Sequence, residues 1–244
     1  MAGYHEFAYF YDELNGEADY DALHRYIVSV FENEGLPGNI VADLGCGTGE
    51  LTLRLAGSGY DMIAIDASAD MLSVLQNKLM QQPGAEVLLV CQNLTRLDLY
   101  GGLHGAVCTF DTLNHIGPFS EMQTVLGRVA LFLETGGIFI FDVNTPYKHT
   151  DILANETFVL EDDDAVCVWQ NTHEPEKMRT QISLHITADQ EETEETFYEY
   201  YCTPEQLVQA CTCVGLAVQS ILDGETFAEP TPETQRLIFV AKKE

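Results

Sequence analysis

Positive charge is what this 244-residue sequence has least of: 11 Lys and Arg stand against 39 Asp and Glu, a formal net charge of −28 at pH 7. Nucleic-acid binding rests on cationic contacts to phosphate, and no Lys/Arg cluster offers a local basic patch, so RNA and DNA are not expected partners. Long apolar runs are missing as well. None reaches the roughly 18 residues of a spanning helix, so no membrane is expected. The opening residues MAGYHEFAYFYDELNGEADY carry acids early and no basic segment ahead of an apolar one, which argues against a secretory signal and leaves the cytoplasm as the default compartment. The seven cysteines include no C-x-x-C pair, so a metal site is not expected. Cys91 and Cys108 fall in apolar runs, where a reduced cysteine behaves as a small core hydrophobe.

What is present is a rhythm. From Asn39 short β-branched runs alternate with amphipathic stretches, the pattern of a parallel sheet covered by helices on both faces, hence an α/β fold of Rossmann-like type. Strands are expected at about 40–45, 61–66, 86–91, 105–110 and 137–142, each apolar enough to be buried on both faces. Helices begin near Glu50, Ser68 and Ser120, the last with Gln123 as capping-box partner. Past Pro146 the period changes. TFVLEDDDAVCVWQN, MRTQISLHITA and ETFYEYYC alternate polar with apolar residues and predict a small antiparallel sheet with one wet face. Thr203, Pro204 and Gln206 then start a helix that runs to Gly215, and LAVQSILD and RLIFVAKK read as two closing strands. The acidic run Gln190 to Glu195 reads as a solvated hairpin end. The organisation expected is one domain: an N-terminal helical part over 1–38, a core over 39–146 and 203–244, and a β insertion over 147–202.

The chemistry concentrates in VADLGCGTGEL, where a strand ends in Asp43 and runs into Gly45, Gly47 and Gly49 ahead of a helix. Side chains at those glycines would hold the backbone away from a ligand, and positive φ is cheap only for glycine. The form D-x-G-x-G-x-G differs from the dinucleotide fingerprint G-x-G-x-x-G, because Glu50 stands where the third glycine belongs. Asp43 and Glu50 would repel a pyrophosphate, whereas a ligand bearing an ammonium and a sulfonium suits them. Asp66, at the end of the second strand, can accept from both hydroxyls of a ribose or can cap the following helix. Gln92 and Asn93 offer amides to an adenine edge, and Phe110 and Asp111 end the fourth strand beside the crevice at the strands' carboxyl ends.

On these motifs the sequence resembles the class I S-adenosylmethionine-dependent methyltransferases over nearly its whole length. VADLGCGTGEL is similar to their first motif, IAIDAS to the second and QNLTRLDL to the adenine segment; FDTLNHI, FDVNTPYKH, VWQN and YHEFAYFYDEL resemble a bacterial subgroup of YqeM type. The resemblance implies a seven-stranded, mostly parallel sheet ordered 3-2-1-4-5-7-6. It implies S-adenosylmethionine as cofactor, with Asp43, Gly45, Cys46 and Gly47 holding its methionine half, Asp66 its ribose, and Gln92, Asn93 and Leu94 its adenine. Ala67, Met71 and Asp111 are counted with that site, and Tyr11, within an aromatic cluster of Tyr4, Phe7, Tyr9 and Phe10, with a lid over it. Many relatives carry Asp where Asn93 stands, so a contact to the adenine amino group would use the amide oxygen. A general base is optional for methyl transfer. His115 and Tyr147 are the candidates, Asn114 could bind substrate, and Phe158, Trp169, Phe197 and Tyr201 could enclose an acceptor. The acceptor expected is a small molecule or a protein, and a homodimer is compatible with the sequence. The competing readings are a non-catalytic adenosyl-ligand binder and an NAD-dependent oxidoreductase.

Overall fold

The computed structural model describes residues 19–82, 86–161, 165–188 and 191–244. After helix α1 (Tyr20–Glu34) come β1 (Ile40–Leu44), α2 (Glu50–Gly57), β2 (Asp61–Asp66), α3 (Ala69–Gln81), β3 (Val87–Cys91), β4 (Leu103–Cys108), α4 (Thr112–Ile116), α5 (Phe119–Phe132) and β5 (Leu133–Asn144). A wide turn, Lys148–Leu153, leads into β6 (Thr157–Glu161), β7 (Ala165–Glu174), β8 (Arg179–Ala188) and β9 (Glu191–Tyr200). The chain returns through α6 (Pro204–Cys213), β10 (Leu216–Asp223) and β11 (Arg236–Lys243). The main sheet has the order β10-β11-β5-β4-β1-β2-β3, with β11 antiparallel to both neighbours and the other pairs parallel. That is the strand order the resemblance implies.

Alternation along the strands builds two cores. Ala42, Leu44, Phe139 and Phe141 face α5 and α6, while Val41, Val107, Ile138 and Ile140 face α1 and α2. The cap of α1 is Asp19, whose carboxylate accepts from Ala22 N, and left-handed Gly35 ends it. Ser68 caps α3, and Thr203 with Gln206 forms the full capping box of α6. The expected box at Ser120 is absent. α5 begins one residue earlier, with Pro118 at the cap position and no side-chain cap, so Ser120 already lies in the first turn.

Three further expectations are corrected. β3 is the edge of the sheet, so Cys91 and Leu88 are exposed, whereas Cys108 in central β4 is fully buried. In β9 the period of two leaves Glu192 and Glu194 wet but turns Glu195 into the protein, so the acidic run is only partly solvated. The fourth strand stops at Cys108, short of Phe110. There the Asp142 carboxylate, at the end of β5, accepts hydrogen bonds from Phe110 N at 2.8 Å and Asp111 N at 2.7 Å. Both residues take left-handed φ, 54° and 52°, and their successive N–H groups form a nest around the carboxylate. Such conformations cost a non-glycine residue on the order of 1–3 kcal/mol each, so the grip of Asp142 is what holds the turn. Arg236 closes the other side, its guanidinium 5.4 Å from the Phe110 ring and its Nε 3.9 Å from Asp142.

Strands β6 to β9 form a separate antiparallel meander. The first expected stretch, TFVLEDDDAVCVWQN, contributes two of its four strands. Its apolar face, with Cys167, Ile182, Leu184 and Ile186, packs on Met71 and Val74 of α3. Asn114 of α4 fastens it at one end by donating to Tyr200 O at 2.8 Å. Among the described residues no helix is long and apolar enough to cross a membrane.

If Asp142 holds the strained turn, Asp142→Asn, which keeps one acceptor oxygen and faces the second N–H with an amide donor, should destabilise the protein by about 2 kcal/mol or more. Urea unfolding checks this: the midpoint should fall at unchanged slope, and an unmoved midpoint would assign the turn to other contacts.

Candidate active site

The carboxyl ends of β1 to β4 and the inner face of the meander enclose one cavity of about 290 Å³. Gly45, Gly47, Asp66, Ala67 and Met71 line one side, and Asn93 and Leu94 extend it. Phe110, Asp111, Thr112 and His115 form its middle; Leu160, Cys167, Trp169, Leu184, Phe197 and Glu199 close it from the meander.

The glycine loop is tied down from β2. Gly45 N and Cys46 N both donate to Ile65 O, and Gly47 N donates to Asp66 Oδ2 at 2.9 Å. The other Asp66 oxygen accepts from Ser68 N at 2.8 Å, the Ala67 N–H also engages the carboxylate, and the residue lines the cavity with acceptor capacity to spare. Burial raises the Asp66 carboxyl above the ordinary carboxylate range against the pull of those N–H groups. The glycines serve packing more than was expected from sequence. A Cβ on Gly45 would lie 2.3 Å from Thr112 Cγ2, and one on Gly49 would lie 2.2 Å from Leu75, so both positions are filled by the protein itself.

Asp43 is buried beneath this loop and, with half-buried Cys46 of the loop, lines a small adjoining cavity of about 30 Å³. Its carboxylate accepts from Thr52 Oγ1 at 2.5 Å. Burial pushes its pKa up to about 7, with the Asp66 charge adding to the rise and the Thr52 bond opposing it. Among the described residues no cation offsets it.

Asn93 lines the cavity, but its amide oxygen is already taken by Thr95 N and Thr95 Oγ1 at 2.9 and 2.7 Å. Its amide NH2 is therefore the group left for a ligand, contrary to the expectation that the oxygen would serve. Gln92 is turned away, both ends of its amide engaging the Asp98 backbone.

At the meander end a polar network crosses between the two sheets. Asn144 Nδ2 donates to Asp111 Oδ2 and to Glu199 Oε2, both at 2.9 Å. The remaining oxygens, Asp111 Oδ1 and Glu199 Oε1, lie 3.5 and 3.9 Å from His115 Nε2. Burial opposes the charge on His115, but Asp111 and Glu199 outweigh it and raise the imidazole pKa. Burial would raise Asp111 too; His115, Lys148 and Arg236 bring it down to about 2. Glu199 is raised, by burial first and then by the Asp111 charge. Behind it, buried His149 is 3.8 Å from Glu199 Oε2, hydrogen-bonded through Nδ1 to Thr180 and held neutral by burial, which lowers its pKa to about 3.

Of the expected site residues, the large cavity brings together Gly45, Gly47, Asp66, Ala67, Met71, Asn93, Leu94, Asp111 and His115, with Trp169 and Phe197. Tyr147 leads into the wide turn after β5 and is not in its lining. Asn114 is buried and braces Asn144 N and Tyr200 O rather than facing the cavity. Tyr201 stacks on His149, and Phe158 meets Trp169 edge-on. Tyr11 and the rest of the N-terminal aromatic cluster lie outside the described residues. Glu199 was missed because ETFYEYYC reads only as a strand; its alternation marks an inward face but not a carboxylate's purpose.

Comparison with known proteins gives this geometry its context. Residues 41–137 match a family model described as a methyltransferase domain. A candidate methyltransferase of Geobacillus sp. (strain WCH70) is 29% identical over 98% of this chain and 99% of its own. YqeM of Bacillus subtilis (strain 168), also named as a candidate methyltransferase, is 28% identical over 98% and 97%. Among solved structures, an S-adenosylmethionine-dependent methyltransferase from Clostridium acetobutylicum ATCC 824 superposes with a TM-score of 0.90 at 26% identity, covering 98% of both chains. With the fold and the glycine loop described above, these matches make the protein a class I S-adenosylmethionine-dependent methyltransferase, similar to the YqeM-type proteins.

Proposed function

We propose that the side of the cavity formed by the glycine loop, Asp66 and Asn93 holds the cofactor, and that the meander encloses a small-molecule acceptor. The observation that carries this reading is the continuity of one cavity from Gly45 and Asp66 to Trp169 and Glu199. A roof of Leu160, Trp169, Leu184 and Phe197 suits a molecule that fits inside, and a folded protein would have to thread a residue beneath it.

The residues fit S-adenosylmethionine on their own chemistry. Asp43 is a buried carboxyl short of a counter-charge, which the ligand's amino-acid ammonium would supply. Asp66 keeps acceptor capacity for a ribose hydroxyl, and Asn93 offers a donor to a ring nitrogen. When bound, the cofactor supplies a methyl group on a cationic sulfonium. The chain's part is to hold the acceptor in line, exclude water with the apolar wall and take up a proton where the acceptor loses one. His115 is placed for that last task. The acidic surroundings favour the cationic donor over its neutral thioether product.

Three outcomes follow. Charged hydrogen bonds contribute roughly 1.5–3 kcal/mol each, so Asp66→Ala should weaken binding of S-adenosylhomocysteine at least about tenfold by calorimetry, with melting measured alongside because Asp66 also holds Gly47. Unchanged affinity in a folded variant would remove Asp66 from the site. Because free Asp43 has its pKa near 7 and a bound ammonium favours the carboxylate, binding below pH 7 must expel a proton. Affinity should therefore fall as pH drops from 8 to 6, by up to about tenfold per unit, and Asp43→Asn should remove this dependence. A flat wild-type profile would exclude the pairing. Finally, labelled methyl from S-adenosylmethionine, supplied to a fractionated cell extract, should appear in the low-molecular-weight fraction; label confined to protein or RNA would overturn the small-molecule assignment.

A further inference from the structure

We infer that Asp111, His115 and Glu199 form an ammonium-binding site, and that the acceptor is a primary or secondary amine methylated on nitrogen. This rests on the proposed use of the cavity by the acceptor. Each carboxylate gives one oxygen to the Asn144 amide and keeps the other for the cavity side, so Asn144 aims Asp111 Oδ1 and Glu199 Oε1 at the same region as His115 Nε2.

The spacing lies between the patterns set by a small metal ion and by an ammonium. The three donor atoms lie within 4.8 Å of one another, with the His115 pairs at 3.5 and 3.9 Å. Ligands around zinc or magnesium, at about 2.1 Å from the ion, stand only about 3.0–3.4 Å apart. Acceptors around an ammonium, each about 2.8 Å from nitrogen, stand about 4.5 Å apart; the His115–Glu199 pair, at 3.9 Å, already exceeds the metal spacing, and the His115–Asp111 pair, at 3.5 Å, lies at its upper edge. Calcium would need more oxygens than two carboxylates provide.

The charge of the cluster agrees. Lys148, which donates to Asn144 Oδ1 at 3.0 Å, and Arg236 offset part of the charge of the two carboxylates, and His149 behind Glu199 is neutral. Glu199, buried and raised in pKa, is the carboxyl that a further cation would ionise. Around the cluster the cavity turns apolar and aromatic. Phe197 lies 5.2 Å from the His115 ring, and the Trp169 indole is fixed by its N–H to Asn171 Oδ1 at 2.7 Å. An ammonium with an apolar or ring-shaped body meets carboxylates at its head and aromatic surface along its flank.

The proton inventory closes. With His115 neutral when the amine is seated, the ammonium gives one proton to Nε2, and the freed nitrogen lone pair becomes the nucleophile. The N–C bond forms as the donor's C–S bond breaks, its electron pair staying on sulfur. The product is a methylated ammonium that retains a positive charge between the same carboxylates.

The test compares amines with alcohols of the same shape: benzylamine with benzyl alcohol, cyclohexylamine with cyclohexanol, and 2-amino-2-deoxyglucose with glucose. Binding to the full chain is measured by calorimetry and ligand-detected NMR, with saturating S-adenosylhomocysteine and without it. The expected result is an amine preference of at least tenfold in one or more pairs, reduced to within about threefold by Glu199→Gln. His115→Gln should also reduce it if Glu199→Gln fails to fold. An equal or better alcohol in every pair, or a preference that survives these substitutions, overturns the inference. Failure of S-adenosylhomocysteine to bind overturns the proposed cofactor placement instead, and the comparison on the free protein still decides the amine question.

Discussion

The buried carboxylate of Asp142 governs the shape of everything around the reaction cavity. Two consecutive non-glycine residues take left-handed geometry because their N–H groups close on that carboxylate. The turn takes the chain out of β4 two residues after the strand ends at Cys108. Phe110 then faces the cavity, Asp111 meets Asn144, and α4 starts at the angle that presents His115. From Asn144 the same network reaches Glu199 in the meander, so the second sheet is positioned by polar bonds that originate in the last residues of β5. Buried polar groups of this kind are costly singly and rigidifying as a satisfied set.

A second theme is the imbalance of charge at the site. Asp43, Asp66, Asp111, Asp142 and Glu199 all lie at the strand ends, against His115, Lys148 and Arg236. On the protein surface such an excess serves solubility, but inside a cavity water screens it weakly. The raised pKa of Asp43, Asp66 and Glu199 expresses that cost in the free protein. A ligand carrying positive charge relieves it, and the neutral product of its reaction does so less.

The fold was legible because parallel strands and their helices announce themselves in local pattern: VADLG, MIAID and IFIFD are each buried runs with a polar residue at the functional end. The proposed cofactor side was legible for the same reason, since loop, acid and amide sit in short continuous motifs. The proposed acceptor side was not. Glu199 meets Asp111 only through a pairing between segments far apart in sequence, and nothing in FDVNTPYKH states that its Asp grips FDTLNHI while its Asn joins that motif to β9. The strand boundary at Cys108 and the exposure of Cys91 were misread for related reasons: one depends on a distant carboxylate, the other on which strand lies at the edge. Asn93 shows the limit in a single residue, because the motif reveals an amide but not which end Thr95 occupies.

The meander enters and leaves the chain as one uninterrupted stretch between β5 and α6, crossing none of the main sheet's connections. Replacing or lengthening it therefore requires no rethreading of the central strands, only preservation of Glu199 at Asn144, of the Tyr200 carbonyl at Asn114 and of the apolar face on α3. Under selection, such an arrangement lets the roof diversify as an exchangeable cassette while the floor beneath it stays constant. Lineages that share this floor can thereby come to modify different acceptors through changes confined to the insertion.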